Sequence, residues 1–238
     1  MWINNAMSKL SNIDSYCRKD LFQIFLSEKE DLSDSTFRWT LYNLLKENKL
    51  FKIGYDTYII AKPKVLPVYK PFYSEKTNNL IDFFKNNFLG LNFVVFESVL
   101  LNEFLNHQIA QNTVYIQVEK DMSSYVFDIL QDKYTERILY KPNNRDFDRY
   151  WTKDCIVILD LISQAPLSVD KPYEITIEKI LVDIIADKSI SATFSSAEIP
   201  FIFYNVMKSY QIDKHKIKRY AGRRGRTNQI MNFLGDME

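Results

Sequence analysis

The sequence predicts an α+β protein of two domains: an N-terminal winged helix-turn-helix over residues 1–65, then a mixed α/β domain over residues 66–238 ending in a basic helical segment. Three observations carry this expectation. A helix-spaced apolar stripe between Leu32 and Asn48 is followed at once by two short β-rich runs around a glycine-containing turn. Pro63, Pro67 and Pro71 crowd into nine residues, which excludes helix and favours an extended connector. Beyond them, apolar runs of strand length alternate with helix-spaced ones, the pattern of a domain with a small mixed sheet.

In the first domain, residues 20–26 read as an apolar helix, with Tyr16, Cys17, Arg18 and Lys19 at its start near a phosphate backbone. A second helix opens at an N-cap within Ser33 to Ser35 and places Phe37, Leu41, Leu44 and Leu45 on one core-facing stripe. It breaks near Asn48. Its opposite face carries Ser35, Trp39, Tyr42, Asn43 and Lys46, with Thr36 and Arg38 on the flanks. Hydroxyl, amide, aromatic and basic groups on one face suit the phosphate and base-edge contacts of a recognition helix. Trp39 and Tyr42 could instead pack against the second domain. Residues 50–53 and 58–60 form a hairpin about Gly54 to Thr57, the size a wing needs. Lys52, Tyr55 and Lys62 complete the candidate DNA contacts. Small domains of this kind also serve protein interaction, so the fold alone leaves an adaptor without DNA binding as the alternative.

In the second domain, helices are expected over 80–88, 97–105 and 125–133, and strands over 92–96, 113–118, 137–140 and 155–161. Residues 176–186 form an amphipathic helix, with Ile177, Ile180, Leu181, Ile184 and Ile185 buried, Thr176 as N-cap and Glu178 complementing the helix dipole. Helix resumes over 196–210, and two shorter helices follow to Leu234.

Composition narrows the function. The net charge is only +1, but residues 211–226 hold seven cations against one acid. Lys214, Lys216, Lys218, Arg219, Arg223, Arg224 and Arg226 make a basic block that suits nucleic acid, an acidic protein surface or a solvated helix face. No apolar run approaches the ~18 residues of a membrane span, and residues 1–10 lack a signal-peptide pattern, so a cytoplasmic protein is expected. Cys17 and Cys155 read as reduced structural thiols, and with only His107 and His215 available no metal-ligand spacing exists. No phosphate loop, dinucleotide fingerprint or nucleophile elbow is found, and five glycines leave little room for one, so neither cofactor nor metal is expected. Glu97, Glu119 with Lys120, and Asp160 could evoke a restriction-nuclease-like enzyme. The adjacency of Glu119 and Lys120 points their side chains to opposite strand faces, which argues against catalysis.

Two stretches carry a resemblance: Ile175 to Ile185, with its Thr-x-Glu-Lys helix start and Leu-x-Asp, and Lys218 to Arg226, with Arg-Tyr-Ala before an Arg-Gly-rich run. Together with Gly54-Tyr55 and Tyr58 in the wing, their order is similar to that of the AbiEi-type antitoxin family of bacterial type IV toxin-antitoxin (phage abortive infection) systems. Ile177 stands where that family often has proline, and Asp56 and Thr57 separate the wing tyrosines. The resemblance implies a transcriptional autorepressor that binds a double-stranded DNA operator, self-associates cooperatively on it, and is paired with a nucleotidyltransferase-like toxin.

Overall fold

Helices and two small sheets alternate along the chain, making a mixed α+β protein. A computed structural model describes residues 2–10, 15–60 and 66–235, and the chain divides into two units, Met1–Val65 and Leu66–Glu238. Lys62 and Pro63 lie outside the described residues.

The first unit runs α1 (Trp2–Ser8), β1 (Tyr16–Cys17), α2 (Arg18–Leu26), α3 (Asp34–Lys46), β2 (Leu50–Lys52) and β3 (Thr57–Ile60). Its antiparallel sheet has the order β1-β3-β2, with Tyr16 opposite Tyr58 and Phe51 opposite Ile59. Tyr16 and Cys17 form a sheet edge, with Cys17 also the N-cap of α2 and Arg18 and Lys19 in its first turn. A two-residue strand has no periodicity to betray it in sequence. The Cys17 N–H donates to Asp20 Oδ2 at 3.0 Å, fixing where the strand ends and α2 begins. Phe22 and Phe25 meet Phe37 edge to face at 5.1 and 5.8 Å, and Leu21, Leu41, Leu44, Leu50 and Tyr58 fill the rest of this core. On α3, Thr40 takes a buried place and satisfies its hydroxyl on the Thr36 carbonyl at 2.9 Å, while Leu45 is only half-buried. The helix ends at Glu47, and Asn48 follows in the left-handed region at φ 53°, a conformation asparagine tolerates.

The second unit is built on a four-stranded sheet of β4 (Phe93–Glu97), β5 (Thr113–Val118), β6 (Ile138–Tyr140) and β7 (Cys155–Asp160), in the order β4-β5-β7-β6. β4 runs antiparallel to β5, whereas β5 and β6 both run parallel to β7. α4 (Glu75–Asn87) and α5 (Ser123–Lys133) cover one face, where Phe84, Val126 and Leu130 pack on Val95, Ile116, Ile156 and Ile158. The other face carries Phe96, Tyr115, Val157 and Leu159. It is covered from α7 (Ile177–Ala186), α9 (Ile199–Ser209), α10 (Lys214–Arg223) and α11 (Thr227–Gly235). Both faces being covered explains why β5 and β7 are near-continuous apolar runs. Two short helices complete the unit, α6 (Asn144–Tyr150), which the sequence reading did not anticipate, and α8 (Lys188–Ser191).

Two buried polar groups set the joints. Glu97 ends β4 fully buried, and its carboxylate accepts from the Ser74 N–H (2.9 Å), the hydroxyls of Ser74 and Thr77 (2.6 Å each) and Asn112 Nδ2 (2.8 Å). Ser74 is in turn the N-cap of α4. A buried carboxylate is tolerable only with such a donor set. Glu97 is thus a strand residue, and the helix expected over 97–105 is reduced to a 3₁₀ stretch at Ser98–Glu103. On α7, Lys179 and Asp183 are buried with Gln117 of β5 and Tyr220 of α10.

Candidate nucleic-acid interface

The outward face of α3 begins with its cap. Ser33 accepts from the Thr36 N–H at 3.2 Å and turns the chain into the helix from extended backbone. With Phe37, Thr40, Leu41 and Leu44 turned inward, Ser35, Arg38, Trp39, Tyr42 and Lys46 are left exposed along one stripe, and Thr36 and Asn43 are half-buried beside it. Trp39 is 65% exposed and Tyr42 62%. The two rings lie within one helical turn of each other on the outward face. Lys46 lies in the last turn, where a cation also complements the helix dipole.

Arg38 is engaged. Its guanidinium sits 2.6 Å from Asp34 Oδ2, and Arg18 reaches Oδ1 of the same carboxylate at 2.8 Å. Both pairs are exposed and therefore weak enough to rearrange for a phosphate. Asp34 itself places a negative charge at the N-terminus of α3. Sequence spacing gave no sign that one acid would hold both arginines, because they come from different helices.

The β2–β3 turn brings Lys52 and Tyr55 together, with Lys52 Nζ 5.9 Å from the centre of the Tyr55 ring. Tyr55 is 98% exposed at the tip, whereas Tyr58 points into the core and contributes packing only.

The basic block of the second unit does not form one surface. On α10, Ile217, Tyr220 and Ala221 face the core, while Lys214, Lys216, Lys218, Arg219 and Arg223 are exposed. Asp213 caps the helix by accepting from the N–H groups of His215 and Lys216. Arg223 donates to Ser163 Oγ at 2.7 Å, and Arg226 is exposed ahead of α11. Arg224 turns away from the others to within 3.7 Å of Asp187.

The acids that suggested a nuclease are separated. Glu97 lies at the end of the sheet opposite to Glu119 and Asp160, since Glu97 pairs in register with Val114 and Asp160 with Val118. Glu119 is hydrogen-bonded to Asn92, and Asp160 is paired with Lys141. No group of three or more His, Cys, Asp or Glu side chains gathers as a metal site among the described residues. No helix among them is long and apolar enough to cross a membrane.

The two stretches that carry the family resemblance meet as α7 and α10. Tyr220 donates to Asp183 Oδ1 at 2.9 Å, Lys179 bonds to Asp183 and Gln117, and Glu178 accepts from the Asp213 N–H at 3.1 Å. Their shared polar residues therefore hold the fold.

Fold and surface together define a two-unit α+β protein with an exposed aromatic and basic helix face in its first unit. The chain belongs to the family described as "Family of unknown function (DUF6577)", whose model matches residues 36–238. No curated protein matches it in sequence. Among solved structures it is similar to the RV2827C protein from Mycobacterium tuberculosis, at 13% identity and a TM-score of 0.38. That alignment covers 98% of this chain and 77% of the other. The likeness is too slight to bear on arrangement or activity.

Proposed function

We propose that the first unit is a winged helix that inserts α3 into the DNA major groove, and that the protein represses transcription from its own promoter. The observation that supports this most directly is the exposed stripe Ser35, Arg38, Trp39, Tyr42 and Lys46 on a helix followed by the β2–β3 hairpin. The order of three helices and a sheet of order β1-β3-β2 suits a recognition helix with a wing, Lys52 and Tyr55 at the wing tip reaching the adjacent backbone. In this reading Asp34 holds Arg18 and Arg38 in place until phosphate displaces it. The antitoxin role and the nucleotidyltransferase-like toxin as functional partner are supported by the motif resemblance alone.

The test is a fluorescence-anisotropy titration of the full chain with the DNA upstream of its own gene. Arg38→Ala with Lys46→Ala should weaken binding by about 2–6 kcal/mol, one to three per lost contact, with an unchanged unfolding midpoint. Equal affinity for that DNA and an unrelated sequence, or unchanged affinity in the double variant, would overturn the reading, and absence of DNA binding would favour the adaptor. Growth on co-expression with the product of the neighbouring gene separately tests the antitoxin role.

A further inference from the structure

The second unit has a cleft of about 710 Å³ at the carboxyl ends of β6 and β7, within the size range of small-molecule sites. We propose that it binds a phosphate ester of nucleotide size, its phosphates on Arg145, Lys188 and Arg224 and a hydroxyl or amino group on Asp160. The proposal is independent of how α3 is read.

The first reason is position. In sheets with parallel strands, ligands bind in the crevice beyond the strand carboxyl ends. Lys141 to Arg145 follow β6, Asp160 closes β7, and Asp187 to Ser189 join α7 to α8 on the far wall.

Charge is the second. Residues 65–210 carry more acids than bases, yet this concavity gathers Lys141, Arg145, Lys188 and Arg224 against only Asp160 and Asp187. Those two carboxylates do not neutralise the four. Asp187 Oδ1 is taken up by the Ser189 and Ile190 N–H groups and the Ser189 hydroxyl, so Arg224 approaches only its other oxygen, at 3.7 Å. Arg145 and Lys188 make no ion pair among the described residues. This also accounts for Arg224 leaving the basic block.

The third is a strained lysine held against Asp160. Lys141 sits at φ 42°, a left-handed conformation that costs a residue with a Cβ. Such strain persists where surrounding structure holds it and concentrates at functional sites. There its ammonium pairs with Asp160 Oδ1 at 2.6 Å. A bound hydroxyl or amine would donate to the same carboxylate, which as an ionised group has acceptor capacity beyond this pair.

The experiment is isothermal titration calorimetry of the full chain with ATP, with inorganic pyrophosphate, with adenosine and with a short 5′-phosphorylated single strand. ATP should bind and adenosine should not. Arg145→Gln with Lys188→Gln, both exposed and unpaired, should weaken ATP at least tenfold without moving the ligand-free melting midpoint. Lys133→Gln with Lys208→Gln, an equal charge loss outside the cleft lining, should leave ATP affinity unchanged. Absence of heat with ATP, equal weakening in both variant pairs, or binding of the strand without ATP would each overturn the proposal.

Discussion

Lys179 and Asp183 stand one turn apart on α7 and pair with both side chains closed to solvent, at 0% and 2% exposure. Burial pulls the Lys179 ammonium below its ordinary pKa, against the pull of Asp183. Burial alone would push the Asp183 carboxyl up, but Lys179, Arg224 and the Gln117 amide together outweigh it and hold that group below the usual carboxylate range. The pair also joins three elements, since Gln117 of β5 donates to Asp183 at 3.0 Å and Tyr220 of α10 at 2.9 Å.

Removing one partner strands the other. Asp183→Ala should cost about 3–5 kcal/mol in urea unfolding, because a buried ammonium is left without its counter-charge. Lys179→Met with Asp183→Leu should recover most of that loss or exceed the parent, since apolar residues of similar volume avoid the desolvation penalty. A double variant no more stable than Asp183→Ala would show that the network contributes more than the pair's own balance.

Glu97→Gln keeps the volume but puts an amide NH2 in place of one carboxylate oxygen, so that it faces either the Ser74 N–H or the three donors gathered on Oε1. A loss of about 2–3 kcal/mol is expected from hydrogen bonds to a charged acceptor. Amide hydrogen exchange should accelerate first at the start of α4, at Ser74 and Thr77, before the sheet centre responds.

Acid should weaken the second unit through Glu198. The hydrogen bond from His107, at 2.6 Å, and that from the Asn106 N–H, at 2.9 Å, hold its carboxyl below the ordinary value of 4.5. A depressed carboxylate pKa means the unfolded chain takes up the proton more readily. Its contribution is thus present above about pH 4.5 and lost as the pH falls through the folded value. Urea midpoints measured at neutral pH and below that range should differ less in Glu198→Gln than in the parent.

If α3 and α10 both face phosphate, log affinity for DNA should fall with log salt by roughly 0.9 per neutralised phosphate. Lys218→Glu with Arg219→Glu tests α10 better than changes at Arg223 or Arg224, which are turned toward Ser163 and Asp187. A flatter slope in the double variant assigns the exposed side of α10 to the nucleic acid, and an identical slope removes it.

Patterns with period were legible in the sequence. The α3 stripe, the β2–β3 hairpin, the apolar runs of β5 and β7 and the Thr176 cap of α7 all follow from spacing and residue type. What depends on partners distant in the chain was not legible. β1 exists because Tyr16 and Cys17 meet Tyr58 and Thr57. Glu97 is a strand residue because Ser74 and Asn112 supply its donors. Lys179 broke no pattern that reading by a single buried stripe could weigh, although a base and an acid four apart among the apolar residues of α7 was the available signal. The candidate DNA face lies on α3 and the hairpin that follows it, contiguous in sequence, while the cleft draws on four separate segments and has no local signature.

The strand order β4-β5-β7-β6 has a consequence for how the chain is made. β4 and β5 can pair as neighbours early, but β6 has no partner except β7, which is last to emerge of the four. Until β7 arrives, β5 and β6 each present an open hydrogen-bonding edge, and Thr113 must wait for Cys155 across about forty residues of chain. A nascent or truncated chain ending before Cys155 thus offers two unpaired apolar edges to its neighbours, the condition under which growing polypeptides aggregate or recruit chaperones.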